Sequence, residues 1–519
     1  MRRALLSVCL GVLLVAVVVV VPVWNAYASR TVTQADPASS PTVAPLHTAG
    51  ARLVDARGHE VKITGVNWFG LETDTFAPHG LWQRNYADML DQIAGAGFNT
   101  IRIPYSNQLF DVGSAPRGID YQKNADLQGL DGLGILDRII AAAGQRGLSV
   151  LLDRHRPTAA AQSELWYTNE APESRWIQDW VMLAQRYAGN PTVIGGDLHN
   201  EPHGPATWGD GSPTTDWRLA AERAGNAILA VNPDWLIVVE GIERYGNDWY
   251  WWGGNLTGAR DAPVRLSASD KLVYSSHDYG PGVYGQAWFG APDFPANLPR
   301  LWHDHWAFLQ QEDLTPVLVG EFGGRSVGSD KEGVWQRSLL GFLRDNGLSY
   351  TYWAWNPDSG DTGGILADDW STLDDRKLAM LTGYQWPTDG TAAAPPTSDM
   401  PQPLAITADR PPAPASVADS GPPAQAVQPA PLAAAAPPTA SAPSAVASAP
   451  GVVGGPALAG YAAGGPFDPD LQHALGGMGG LNDPDPVHRQ ARERDEQLYL
   501  VVFGKPWQYA VYATSSGSN

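Results

Sequence analysis

Between about residues 50 and 386 the chain repeats one pattern, a short apolar run followed by a stretch of helical periodicity. The apolar runs are Val61–Trp68, Thr100–Pro104, Leu148–Asp153, Val193–Asn200, Leu236–Glu240, Leu272–His277, Pro316–Gly320 and Tyr350–Trp355. Strands buried on both faces read as such continuous runs. Between most of them apolar residues recur at i, i+3, i+4 and i+7. Examples are Tyr86, Met89, Leu90 and Ile93; Leu136, Ile139, Ile140 and Ala143; and Trp180, Leu183, Ala184 and Tyr187. That spacing puts each set on one helix face. Asn190-Pro191 and Asn232-Pro233 stop two of the helices. Strands alternating with helices over roughly 340 residues predict an α/β fold of the (β/α)8 (TIM) barrel type. A doubly wound open sheet is the alternative, but it would carry a Gly-rich turn after its first strand, and none follows Trp68.

The rest of the 519-residue chain has another character. Met1-Arg2-Arg3, an apolar stretch from Ala4 to Val23 and Ala26-Tyr27-Ala28 read as a secretory signal over 1–28, cut after Ala28. The apolar stretch approaches the roughly 20 residues that span a bilayer, so an uncleaved membrane anchor is the alternative. Residues 29–48 form a Ser/Thr/Pro/Ala linker, and 49–388 hold the barrel. Residues 389–456 are an Ala/Pro spacer that cannot bury a core, and 457–519 a Gly- and Asp-rich segment of unknown role. Cys9 is the one cysteine and lies in the signal, so the exported chain has no thiol for a disulfide or a metal. A net charge of -20 argues against nucleic acid or anionic lipid as partner. The 21 Trp exceed what a core needs and suggest flat platforms for sugar rings.

Two of the apolar runs end on a carboxylate. Val193-Ile194-Gly195-Gly196-Asp197-Leu198-His199-Asn200-Glu201 stops at Pro202, and Pro316-Val317-Leu318-Val319-Gly320 runs into Glu321. Charge at the C-terminal end of a buried strand is costly in a core, but barrel enzymes keep their chemistry there. Cleaving a glycosidic bond needs a proton donor at the leaving oxygen and a carboxylate at the anomeric carbon. Glu201 and Glu321 are therefore the candidate catalytic pair. Glu240 has the same setting and is their competitor, or else a buried hydrogen-bonded acid behind them.

The chain then resembles glycoside hydrolase family 5, and within it the bacterial endo-β-1,4-glucanases (cellulases). The matching stretches are Thr64–Gly70, Asn99–Tyr105, Asp153–Pro157, Asp197–Pro202, His277–Tyr279, Gly320–Gly323 and Trp353–Gly364. The resemblance implies a barrel, retention of configuration, no cofactor and no metal, with Glu201 as acid/base and Glu321 as nucleophile. It implies supporting roles for Arg102, Asn200, His277 and Tyr279. Arg102 would hold Glu321 ionised, Asn200 would meet the sugar 2-hydroxyl, and Tyr279 would face the nucleophile. It places His155, Trp82, Trp252 and Trp353 against substrate, with Trp355 pointing the same way as Trp353 but further out. His199 is expected to be structural, and Trp176, Trp180, Trp302 and Trp306 to be core. Asp358–Gly364 has a calcium-like composition, yet fits a substrate-side turn equally well. Cysteines that relatives often carry near Asp74, Ala159, Thr207 and Asp210 are absent.

The expected function is a secreted, extracellular, retaining endo-β-1,4-glucanase, a monomer whose partner is its β-glucan substrate. Glu201 should then sit above, and Glu321 below, the proton affinity each would otherwise have. The alternatives are hydrolysis of mannan, xylan, xyloglucan or mixed-linkage glucan, a barrel that binds glucan without cutting it, or a function residing in 457–519.

Overall fold

A computed structural model of the chain describes residues 44–386. The signal, the spacer and the C-terminal segment lie outside the described residues. A small antiparallel sheet comes first, from β1 (His47–Ala49), β2 (Arg52–Val54) and β3 (Glu60–Val61). Leu46 is buried and His47 and Thr48 are already paired to Val54 and Leu53, so the folded unit starts ahead of the linker end expected at 48.

Eight parallel strands then close into a barrel. They are β4 (Thr64–Asn67), β5 (Thr100–Ser106), β6 (Ser149–Arg156), β7 (Val193–Asp197) and β8 (Leu236–Glu240), then, after a hairpin of β9 (Arg244–Tyr245) and β10 (Asp248–Trp249), β11 (Leu272–His277), β12 (Val317–Glu321) and β13 (Ser349–Tyr352). β13 pairs with β4 and β11 with β8, so the barrel has no free edge. Helices α1 (Tyr86–Gly95), α2 (Gly132–Gly144), α3 (Glu173–Arg186) and α4 (Trp217–Val231) follow the first four barrel strands. The fifth crossover carries the hairpin and short 3-10 turns instead of a helix. α5 (Leu298–Trp302) and α6 (Phe308–Gln311) flank a π-helical turn, and α7 (Lys331–Asp345) and α8 (Asp375–Leu381) complete the ring.

The sequence explains the local choices. Asn85, Asp131, Asp216, Asp330 and Asp374 each accept backbone N–H groups at a helix start, which an N-cap must do. The expected helix faces are the buried ones, with Met89, Leu90, Ile93, Leu136, Ile139, Ile140, Trp180, Leu183 and Ala184 against the barrel. The expected first strand is broken: β3 ends at Val61 and the barrel strand begins at Thr64.

α3 fixes the strand end that matters most. The indoles of Trp176 and Trp180 both donate to the Leu198 carbonyl, at 2.8 and 3.1 Å, just ahead of Asn200 and Glu201. A Cβ at Gly196 would lie 2.6 Å from the Trp180 ring, and one at Gly195 would lie 2.3 Å from the Leu236 carbonyl oxygen. The Gly-Gly pair lets helix and neighbouring strand close onto β7. Gly196→Ala is thus expected to overpack this contact and cost about 1–3 kcal/mol, read as a lower thermal midpoint; an unchanged midpoint would show that Trp180 yields freely.

Candidate active site

The C-terminal ends of the barrel strands converge on the guanidinium of Arg102. It lies within β5 and is fully buried. Its Nη1 donates to Glu321 Oε1 at 2.7 Å and to Asn67 Oδ1 at 3.0 Å, with Asp153 Oδ2 at 3.2 Å. Its Nη2 donates to Asn200 Oδ1 at 3.0 Å and faces Asp197 Oδ2 at 2.9 Å and Glu240 Oε1 at 3.3 Å. Burial alone would lower its proton affinity, but the charges of Asp153, Asp197, Glu321 and Glu240 push it far up, so it stays a cation. Burial wins at Asp153 and Asp197, each raised to about 6 against the pull of Arg102.

Glu321 is held through both oxygens. Arg102 donates to one, and the Tyr279 hydroxyl donates to the other at 2.6 Å. Burial and the Glu321 charge keep that phenol protonated, as its donor role requires. Glu201 lies across the mouth, part-exposed, with one oxygen within 4.8 Å of an oxygen of Glu321. His277 stands between them, its Nδ1 at 3.1 Å from Glu201 Oε1 and 3.7 Å from Glu321 Oε2. Burial would discharge this imidazole, but the Glu240 and Glu321 charges and its hydrogen bonds raise it well above its ordinary value. Gln162 Nε2 donates to the other oxygen of Glu201 at 3.1 Å.

Against expectation, Glu201 is not raised. Burial pushes its carboxyl up, but the hydrogen bond and charge of His277, with the Gln162 hydrogen bond, outweigh it and leave it below the ordinary range. Glu240, the competitor, lies deeper and fully buried, its oxygens turned to Arg102, His277 and the Glu201 backbone.

The aromatic floor is built from strand β6 and the loops after β4, β10 and β13. The Trp353 ring is half-buried and its plane lies within 10° of both Phe69 and His155, at 5.3 and 5.4 Å between centroids. Its indole donates to Ser359 Oγ at 3.1 Å. His155 Nδ1 meets Asp153 at 2.6 Å, and burial lowers the ring to about 4, so it is neutral. Trp82 and Trp252 are both exposed. Trp82 packs edge-on against Trp370, and Trp252 stacks at 3.8 Å on His203, two residues beyond Glu201. Trp355 corrects the sequence reading. β13 ends at Tyr352, so alternation does not carry past it, and Trp355 is a fully buried core residue. Trp176, Trp180, Trp302 and Trp306 are core as expected. His199 is structural, its Nδ1 at 2.8 Å from Arg154 Nη1. The loop after Trp353 is a hydrogen-bonded turn: Asp358 pairs with His79 at 2.9 Å, and Asp361 takes the Thr362 N–H at 2.8 Å.

Asn67, Asp153, Asp197 and Gln162 received no role from the sequence. The first three sit inside quoted motifs, but a polar residue within a buried strand carries no signal of what it faces. Among the described residues, three side-chain sets could hold a cation: Asp153, His155 and Glu321; Asp197, Glu240 and His277; Glu201, His277 and Glu321. Each includes a carboxylate already on Arg102, whose charge opposes a second cation. Among the side chains of the cluster, the Asn200 Nδ2 amide has no partner within the described residues, a buried donor with capacity for a ligand.

A closed (β/α)8 barrel, with two carboxylates facing each other at its mouth above an aromatic floor, defines an enzyme of the glycoside hydrolase class. Residues 54–359 match the model of the cellulases, glycosyl hydrolase family 5, and the chain belongs to that family. It is 58% identical over 339 residues to an endoglucanase of Paenibacillus polymyxa, covering 64% of this chain and 85% of that one. The major extracellular endoglucanase of Xanthomonas campestris is 45% identical over 345 residues, 65% of this chain and 70% of its own. Among solved structures, the endocellulase of Pyrococcus horikoshii in complex with cellotetraose matches with a TM-score of 0.62 and 44% identity, over 66% of this chain and 99% of that one.

The Arg102 cluster has a testable consequence. Removing the cation leaves buried carboxylates unpaired, so Arg102→Met should cost about 3–5 kcal/mol at pH 7. Carboxyls raised to about 6 are neutral below that pH, and stability tied to them falls as pH rises through it. The deficit of Arg102→Met should therefore be smallest near pH 4–5 and grow toward pH 8, measured by denaturant melts. A deficit independent of pH would contradict this account.

Proposed function

We propose that the chain is a secreted, monomeric endo-β-1,4-glucanase that hydrolyses β-glucan with retention of configuration. The approach of Glu201 and Glu321 to within 4.8 Å carries this reading. The retaining arrangement separates the two carboxyl groups by about 5–5.5 Å, while inversion needs about 6.5–9.5 Å to admit a water. The endoglucanase relatives favour β-1,4-glucan over mannan or xylan as substrate, and the extracellular Xanthomonas enzyme favours export.

Glu321, ionised and aimed by Arg102 and Tyr279, attacks the anomeric carbon. Glu201 gives its proton to the departing oxygen, leaving a glycosyl ester on Glu321. Glu201 then takes a proton from water, which attacks the same carbon and frees Glu321. Sugar lying over Glu201 removes its remaining water, and that desolvation raises the carboxyl from its low value toward the acid role. The free Asn200 amide is placed to bind the 2-hydroxyl, a contact that tightens in the transition state. Trp353 and neutral His155 form the floor under the cleaved sugar, and Trp82 and Trp252 extend it along the rim. This chemistry needs no cofactor.

Glu321→Gln should lower kcat on cellooligosaccharides by at least about 10³-fold, the scale seen when a nucleophile is removed. Product from the native enzyme should appear first as the β-anomer by NMR. Near-native activity in the variant, or the α-anomer first, would remove the double-displacement reading.

His277 gives an independent test. It is the main group holding Glu201 low, and its removal should let that carboxyl keep its proton to higher pH. The alkaline limb of kcat/KM for His277→Gln is expected to move to higher pH. A limb that stays in place would separate His277 from the acid.

A further inference from the structure

Glu240 belongs to neither of the two carboxylates assigned to chemistry, yet it touches one of them at both ends. It is the last residue of β8, fully buried, and its carbonyl is fixed by the Trp217 indole at 2.8 Å. Its Oε2 accepts the backbone N–H of Glu201 at 2.8 Å. Its Oε1 lies 3.2 Å from His277 Nε2, whose Nδ1 in turn touches the Glu201 carboxyl at 3.1 Å. The His277 contact is an ion-pair approach rather than a well-aimed hydrogen bond.

The Glu201 backbone needs holding. Its φ is +54°, in the left-handed region, which a non-glycine residue occupies at a cost of about 1–3 kcal/mol unless its surroundings impose it. Glu240 holds its N–H, and the His203 ring lies 2.6 Å from its carbonyl oxygen. The packing leaves room for this grip. A Cβ on Gly253, whose φ is +64°, would lie 2.2 Å from Glu240 Oε2 and 3.1 Å from Glu201 Cα. Only glycine there admits both the carboxylate and the strained backbone.

We propose that Glu240 is a positioning residue for the acid/base, gripping the Glu201 backbone with one oxygen and the His277 ring that orients the Glu201 carboxyl with the other. The proposal rests on reading Glu201 as that acid/base. Burial and the Asp197 charge raise Glu240 well above the ordinary carboxylate range, against the pull of His277 and Arg102. The groups against its oxygens are the Arg102 guanidinium, the Glu201 N–H and the raised, protonated His277, all of them donors. Every group against its two oxygens is a donor, so Glu240 is held as an acceptor at both. Charge-assisted bonds of this kind are about twice as strong as neutral ones, and Glu240 has a basic or strained partner on each oxygen.

A structural acid and a positioning acid differ in what they do to leaving-group dependence. A phenol aglycone needs a proton as it departs, and a dinitrophenol aglycone does not. For Glu240→Gln in the full chain, kcat/KM on phenyl β-cellobioside should fall about 10- to 100-fold, and on the dinitrophenyl analogue less than about 3-fold, since general acid assistance is worth about 10²–10⁴. Equal falls on both, or no fall on either, would overturn the proposal. The comparison is made within one preparation, so partial unfolding lowers both rates alike. If Glu240→Gln does not fold, Glu240→Asp, which keeps the charge but cannot reach both partners, is read in the same way. Glu201→Ala run in parallel should show the same split, larger. If it does and the Glu240 variant does not, the positioning role alone fails; if neither does, the acid/base reading of Glu201 fails first.

Discussion

One buried guanidinium organises the mouth of this barrel. Arg102 meets carboxylates from four other strands, Asp153, Asp197, Glu240 and Glu321, and the amides of Asn67 and Asn200. A lysine could not replace it. The partners lie in several directions around a plane, and only a flat fork with five donors reaches them together. Burying so many charges is unfavourable unless each is paired, and the barrel makes the pairing possible by closing. Because β13 returns to β4 and β11 to β8, residues more than 200 positions apart arrive at one point. Closure sets the position of Arg102, and Arg102 sets the position of one Glu321 oxygen.

The fold was legible because its signal is redundant. Each strand is a continuous apolar run, each helix face a 3.6-residue period, and their alternation admits few architectures. Glu201 and Glu321 stood out as charges where apolar runs stop. The misreadings share one cause, which is that period and alternation describe a segment and not its surroundings. Trp355 was assigned a direction by continuing the alternation of β13 beyond Tyr352, where the strand has ended. The run expected to end at Pro104 continues to Ser106, which sets Arg102 inside the barrel. Glu240 looked equivalent to the catalytic pair because its run is the same. Depth distinguishes it, and depth is a property of the closed barrel. Gln162 gave no signal, since it sits in a loop whose path only the fold determines.

Hydrogen bonds close the rim loops around Thr207 and Asp74. Buried Asp216 gathers the Gly209 and Gly211 N–H groups at 3.0 and 2.9 Å, which closes the loop that begins at Thr207. In the loop after β4, the Thr73 and Thr75 hydroxyls both donate to the Gly70 carbonyl, at 2.8 and 3.0 Å, folding the turn that carries Asp74. His79 then ties this turn to Asp358 in the loop after Trp353. These contacts fix the native loops without restricting the unfolded chain as a cross-link would. Part of this network is titratable, and it reaches the rim through His79 and Asp358.

The low proton affinity of Glu201 follows from the same crowding of charge. His277 stands between the two carboxyls, and its hydrogen bond and charge act on Glu201. The two carboxyls differ in access to water: Glu321 is enclosed by donors on both oxygens, while Glu201 is part-exposed. Under the proposed acid role the Glu201 carboxyl has to remain free to exchange a proton, so the residue is held through its backbone N–H by Glu240 instead.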